Sequence, residues 1–385
     1  MRLADRVIDL PESGIREFFE LAEARDDVIS LGVGEPDFSA PWAARMAAID
    51  SLERGRTSYT SNRGLRELRE RIAEHHRHQY DQVYDPDEAV LVTTGASEAV
   101  DLAFRALVDP GDVVAVHDPT YISYGPGIEL AGGEPLSVPT RAADDFALTR
   151  ERLEAAGAER ADALVLCYPN NPTGAVMTES QLAEVAGFCR EHDVRVIADE
   201  IYSALTYEGE HASIATQPGM RERTIVINGF SKAYAMTGLR LGYAMGPAET
   251  IDAMNRIHQY TMLSAPTTAQ YAAIEALRSC ADDVEEMVEE YDRRRRFVHS
   301  RFREMGLDCF EPRGAFYAFP DCGGDDEAFA AELLEAEGVA VVPGSVFGEG
   351  GRGHLRVSYA TSMRELKRAT ERIESFLATE WSVTA

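Results

Sequence analysis

The chain of 385 residues carries 66 acidic against 38 basic side chains, a formal net charge of −28. So acidic a surface repels nucleic acid and anionic membranes and sets aside partners of both kinds. No apolar run approaches the roughly 18 residues of a membrane-crossing helix, and the opening MRLADRVIDL lacks a signal-peptide core. In chain order, apolar and β-branched runs at 90–94, 113–117, 164–168, 194–199, 224–228 and 241–245 read as short buried strands. Several are separated by amphipathic stretches of helical length, among them 97–107 and 179–192. This alternation predicts an α/β fold with a mostly parallel central sheet flanked by helices on both faces.

From 282 to 305 runs one long charged helix pattern, with Val284, Met287, Val288, Tyr291, Val298 and Phe302 as its apolar stripe. Its acids come first and the arginine run 293–296 later, which suits the helix dipole. In so acidic a chain these arginines read as a solvated helix face. Beyond this helix the pattern shortens, so a domain change is placed within it: a large domain over 46–285, and a smaller one built from 1–45 and 286–385. His75, His76 and His78 fall on a polar helical stretch and read as solvated rather than metal-binding. The five cysteines are scattered without a CxxC pair and read as reduced structural residues of a cytoplasmic protein. The acid excess is the composition expected of a protein working in concentrated salt, where screening offsets the repulsion among carboxylates.

Lys232 and Lys367 are the only lysines. Lys232 stands just past the run 224–228, between Ser231 and Arg240. A chain that uses arginine almost everywhere else keeps lysine where arginine cannot serve. Arginine stays protonated, whereas lysine can lose its proton and condense with a carbonyl as a Schiff base.

Other unusual residues follow the remaining runs, where ligands of parallel sheets sit. Gly95-Ala96-Ser97-Glu98 opens a helix whose free N–H groups suit a phosphate, although small residues open ordinary helices too. Pro169-Asn170-Asn171-Pro172-Thr173-Gly174 is either a proline turn or an asparagine amide held toward a ligand. Asp199-Glu200-Ile201-Tyr202 either caps a helix or sets a buried carboxylate against a positive ring nitrogen. Together these supply what an aldehyde-bearing pyridine phosphate needs: a lysine, an acid, a donor for the phenolic oxygen and a phosphate cradle.

With Leu31-Gly-Val-Gly-Glu-Pro-Asp37 and His354-Leu-Arg356-Val-Ser-Tyr-Ala360, these motifs resemble the class I and II aminotransferases among the fold-type I pyridoxal-phosphate enzymes. The resemblance spans essentially the whole chain and is nearest the archaeal and bacterial aspartate/aromatic branch. It implies that Lys232 forms the Schiff base with pyridoxal 5'-phosphate and, once freed, moves a proton between the substrate Cα and the cofactor. It pairs Asp199 with the pyridine nitrogen, Asn171 and Tyr202 with the phenolic oxygen, and stacks Tyr121 on the ring. Ala96, Ser97, Ser231 and Arg240 match the phosphate site. Tyr59 matches a residue that reaches the cofactor of a second subunit, which implies a homodimer with shared active sites. Arg356 matches the arginine that grips the substrate α-carboxylate through its planar fork, with Asn171 and Gly34 implied beside it. No metal is implied.

The implied reaction moves an amino group from an L-amino acid to a 2-oxo acid, with 2-oxoglutarate expected, by a ping-pong cycle. A C–S β-lyase on the same scaffold is the alternative. A non-catalytic regulator binding the same cofactor is disfavoured by the charge and by the lack of a helix-turn-helix segment ahead of the motifs. Two departures from the family pattern stand out. Gly229 occupies a position that is often serine. Ser97 and the segment 260–266 bring no cation for a distal substrate carboxylate, and burying one unpaired is costly. A broad, aromatic or neutral preference therefore gains over strict aspartate specificity. Phe316 and Tyr317 are candidates to line such a pocket or simply to fill the core.

Overall fold

The six expected strands form with bounds within one residue of those read from the sequence. In the computed structural model, which describes residues 3–8, 10, 14, 27–379 and 381, they join a seventh in one sheet. We label them β1 (Val90–Thr93), β2 (Val113–Asp118), β3 (Glu134–Pro139), β4 (Ala163–Cys167), β5 (Arg195–Asp199), β6 (Thr224–Gly229) and β7 (Gly242–Met245), in the order β1-β7-β6-β5-β4-β2-β3. Only β7 runs against its neighbours; the pairs from β6 to β3 are all parallel. The reason lies in the connection 230–241, which carries no α-helix to cross back over the sheet and so returns the chain as an antiparallel strand.

Alternate residues of the central strands point to opposite faces. Val165 and Ile197 meet Leu102 and Phe104 of the helix Gly95–Leu107 on one side. Leu164, Leu166 and Val196 meet Leu182, Val185 and Phe188 of the helix Glu179–Glu191 on the other. Each such fully buried side chain stabilises by about 1.5–3 kcal/mol, which is why these strands read as continuous apolar runs. The strand missed by sequence reading, β3, sits at the sheet edge and is mostly exposed, with Pro135 and Pro139 tolerated because an edge leaves N–H positions unused.

A three-stranded antiparallel sheet follows, in which Leu355–Ser358 lies between Val342–Pro343 and Tyr317–Ala318. Ile29–Ser30 pairs in parallel with Val339–Ala340. The long helix, Ala281–Glu304, packs Met287, Tyr291, Val298 and Phe302 into the same core as Phe329 and Phe376.

Two expectations are corrected here. Arg293 and Arg296 are exposed, but Arg294 and Arg295 are buried. Arg294 pairs with Asp37 and Glu290, both at 2.8 Å, and Arg295 with Asp292 at 2.8 Å and Glu208 at 2.9 Å. The helix turns that pair toward acids and rings on neighbouring loops, with Phe38 and Tyr207 stacked beneath the guanidiniums. His76 is fully buried, because it follows Leu68 and Ile72 at helical spacing on the inner face of Arg66–Tyr80, whereas His78 is exposed. The five cysteines are free and buried. Among the described residues no helix is long and apolar enough to cross a membrane.

Candidate active site

The loops beyond the carboxyl ends of β1, β2, β4, β5 and β6 converge on a cavity of about 1230 Å³. Ala96, Ser97, Ser231 and Arg240 line one part of it, and Tyr121, Asn171, Asp199 and Tyr202 another. Lys232, Gly34 and Arg356 complete the set. Of the residues that the resemblance assigns to cofactor or substrate, only Tyr59 lies elsewhere, on the surface at 80% exposure.

Among the described residues Lys232 has no carboxylate within ion-pair distance; its Nζ donates to the Gly34 carbonyl at 2.5 Å. Burial first, then the charges of Arg356 and Arg240, lower its pKa to about 8 against the opposing pull of Glu35 and Asp199. The amine is therefore partly neutral near neutral pH, the form a nucleophile or base requires. Asp199 shifts the other way. Burial raises it to about 6, Glu200 adds to the rise, and the Tyr124 hydroxyl and the Ile201 N–H hold the carboxylate at 2.7 and 3.2 Å.

Arg356 is 2% exposed and donates to Asn171 Oδ1 at 3.1 Å and to the Gly32 carbonyl at 2.5 Å. Its Nε is buried without a hydrogen-bond partner. The Tyr317 and Phe347 rings lie over the guanidinium at 4.7 and 4.8 Å. A buried cation with an unused donor and no carboxylate paired with it among the described residues is a binding group for an anion. Tyr202 and Tyr317 share one hydrogen bond at 2.8 Å, so one of the two hydroxyl protons is left for a ligand; burial pushes both phenols up and keeps them donors. Phe316 and Tyr317 both pack in the core, and of the two Tyr317 also lines the cavity wall.

The departure at Gly229 has a steric cause. Gly229 faces Gly242 in the β6–β7 register, and a Cβ at 229 would lie 3.0 Å from the Gly242 Cα. A Cβ on Gly242 would in turn fall 2.4 Å from the Ala96 nitrogen, so the two glycines let the strands and the start of the Gly95 helix close together. Gly95 itself has φ +78°, and a Cβ there would strike the Arg240 guanidinium at 2.7 Å. Sequence reading missed Tyr124, three residues beyond Tyr121 and buried against Asp199; that spacing in Tyr121-Ile-Ser-Tyr124 was the available signal.

A mostly parallel sheet with a lysine, a buried carboxylate and an arginine fork gathered beyond its strand ends defines an enzyme class that handles amino acids through an aldehyde cofactor. The chain belongs to the aminotransferase class I and II family, whose sequence model it matches over residues 26–373. The Bacillus subtilis protein YugH is 51% identical, over 97% of this chain and 98% of its own. An aspartate aminotransferase of Pyrococcus abyssi is 43% identical over 98% of each chain. The crystal structure of an aromatic aminotransferase from Pyrococcus horikoshii superposes with a TM-score of 0.90 at 43% identity, covering 94% of this chain and 98% of that one.

Enzymes of this family and fold depend on pyridoxal phosphate, and the residues present fit that group. A dianionic phosphate suits the helix start at Gly95 with Ser97, Ser231 and Arg240, a pyridinium suits Asp199, and an aldehyde suits the unpaired Lys232.

Proposed function

We propose that this transaminase takes amino acids with neutral or aromatic side chains as donors and 2-oxoglutarate as acceptor, in two half-reactions that share one pocket. The cations of the cavity wall carry the reading. Among the described residues they are Lys232, Arg240 and Arg356. The first two are committed to the cofactor and the third to the α-carboxylate, so no cation of the described lining is left for a distal carboxylate. The side-chain region is bounded instead by Tyr121, Ile122, Tyr317, Val346 and Phe347. An aromatic or aliphatic group buried there gains about 25 cal/mol per Å² of apolar surface, while an unpaired carboxylate loses its hydration.

Pyridoxal phosphate supplies an electron sink for the pair left at the substrate Cα when its proton departs. The Arg356 fork fixes the α-carboxylate and so aims the Cα–H bond at Lys232, whose neutral amine accepts that proton and returns it. Asp199 would keep a negative charge opposite the ring nitrogen, while Asn171 Nδ2 and the Tyr202 hydroxyl would donate to the phenolic oxygen. Ser97, Ser231 and Arg240 would hold the phosphate, and Tyr121 would cover the ring face.

A homodimer with shared sites is supported by one exposed ridge. Tyr59 at 80%, Tyr260 at 87% and Met262 at 51% exposure are joined through Asn62, which donates to the Leu263 carbonyl at 2.6 Å. An apolar ridge of this kind fits a second copy of the chain. The two-domain division at 46–285 is proposed on the same footing, supported by a core in which Ile29 and Leu31 from one end of the chain pack with Val339 and Phe376 from the other. The free buried cysteines support a reducing, cytoplasmic setting, and the charge of −28 supports work in concentrated salt.

The test is a panel of single amino acids, with oxo-acid release and the cofactor absorption band followed in about 2 M and about 0.1 M KCl. Phenylalanine, tyrosine and leucine are expected to convert faster than aspartate, with the higher salt needed for full activity. A clear preference for aspartate overturns the substrate reading, steady ammonia release overturns transamination, and equal activity and fold in both salts overturn the salt reading.

A further inference from the structure

Outside the cavity, and next in the chain to Asp199, a buried polar network centres on Glu200, which is 3% exposed. Its Oε2 accepts from Gln82 Nε2 at 3.2 Å and faces His211 Nε2 at 3.2 Å, while Oε1 accepts from the Ser213 hydroxyl. The direction of the next bonds follows from donor counting. With its Nε2 donating to Glu200, Gln82 presents Oε1 to His76 Nδ1 at 2.7 Å, so Nδ1 carries the His76 proton. The bare His76 Nε2 then accepts from the Tyr243 hydroxyl at 2.8 Å. Burial, with His75 nearby, lowers the His76 pKa to about 3 and keeps the ring neutral. A chain of donors thus runs from β7 through the helix Arg66–Tyr80 to Glu200, each bond pointing toward the carboxylate.

Burial disfavours the Glu200 charge, but the neighbouring His211 and the Ser213 hydroxyl outweigh it and hold the carboxyl below its usual range. Tyr80, Tyr84 and Tyr243 complete the titratable surroundings of Glu200, and burial pushes all three phenols up. Around Asp199 stand Tyr124, Cys167 and Lys232. Well-packed apolar residues would stabilise this region as well as an ionic network does, so stability alone does not account for it.

We infer that Glu200 is a positioning residue for the aminotransferase reaction: a fixed anion behind Asp199 that biases the adjacent cavity toward a protonated ring nitrogen. The inference rests on the pairing of Asp199 with that nitrogen. Two successive carboxylates stand behind the cavity, one held by Tyr124 and the other by Gln82 and Ser213 with His211 beside it at 3.2 Å; the part of the Glu200 field that His211 leaves uncompensated adds to that of Asp199 in a region dry enough for it to count.

The test compares Glu200→Gln, Glu200→Asp and the exchanged pair Gln82→Glu/Glu200→Gln. The pair keeps the hydrogen bonds satisfied while moving the charge away from Asp199. Each holoenzyme is loaded with ring-¹⁵N pyridoxal phosphate, and the ¹⁵N resonance, the cofactor Kd and kcat against KM are measured. Glu200→Gln and the exchanged pair are expected to move the resonance toward neutral pyridine and to weaken cofactor binding about tenfold. kcat should fall more than KM rises, and Glu200→Asp should restore most of the loss. Asp199→Asn serves as the control: if it leaves the resonance unmoved, the pairing of Asp199 is wrong. If Asp199→Asn moves the resonance while folded Glu200→Gln or the exchanged pair leaves both resonance and Kd unchanged, the role given to Glu200 is overturned.

Discussion

Arg356→Lys keeps a cation at the inner wall of the pocket and removes only the fork. In the native site Nη1 and Nη2 each give one N–H, to Asn171 and to the Gly32 carbonyl. Three of the five guanidinium N–H groups remain, enough for two parallel bonds to a carboxylate. A lysine ammonium has three donors. Meeting Asn171 and Gly32 leaves it one, so the substrate loses one charge-assisted hydrogen bond. Such a bond is worth about 1.5–3 kcal/mol, which corresponds to about 10- to 150-fold in kcat/KM. The assay follows the first half-reaction of an L-amino acid and of the matching amine without its carboxylate, across a range of pH. A buried ammonium tends to lose its proton as pH rises, so the loss that persists at the acid end belongs to the fork itself. The amino acid should lose the stated factor and the amine nothing. An equal loss for both substrates, or none for the amino acid, refutes the assignment of Arg356 to the α-carboxylate.

Lys232 sets the pH dependence of cofactor capture. Because burial lowers its pKa to about 8, the reactive neutral amine is gained as pH rises. Uptake of pyridoxal phosphate by the apoprotein should therefore climb about tenfold per pH unit below that value and level off above it. A rate still climbing near the ordinary lysine pKa would refute the shift, and measurable transamination by Lys232→Ala would refute the role. Tyr59→Phe should weaken cofactor binding by about 10-fold or more through one lost bond to a charged phosphate. If that bond crosses between subunits, hybrids of Tyr59→Phe with Lys232→Ala chains regain one native site per pair. Hybrids that bind cofactor no more tightly than Tyr59→Phe alone would exclude the shared site.

What the sequence made legible was local: strands bounded by apolar runs, and the residues that follow each carboxyl end. Lys232 stood out because composition had removed nearly every other lysine. What it hid depends on partners far away in the chain. Gln82 meets Glu200 across 118 positions and Glu98 meets His258 across 160, and no spacing rule reports such pairs. For the same reason His76 and Arg294 looked solvated. Their own segment is polar, and only its packed face shows which side chains turn inward. The charge states were hidden most completely. As isolated side chains Lys232 and Asp199 would titrate at 10.5 and 3.8, and both would be fully charged at neutral pH. Burial in one cavity draws them to about 8 and about 6, so that Lys232 can give up its proton near working conditions while Asp199 stays mostly ionised at neutral pH. The motif names these two groups, but the charge state that suits each role is set by the walls around them, built from β1, β2, β4, β5 and β6 together.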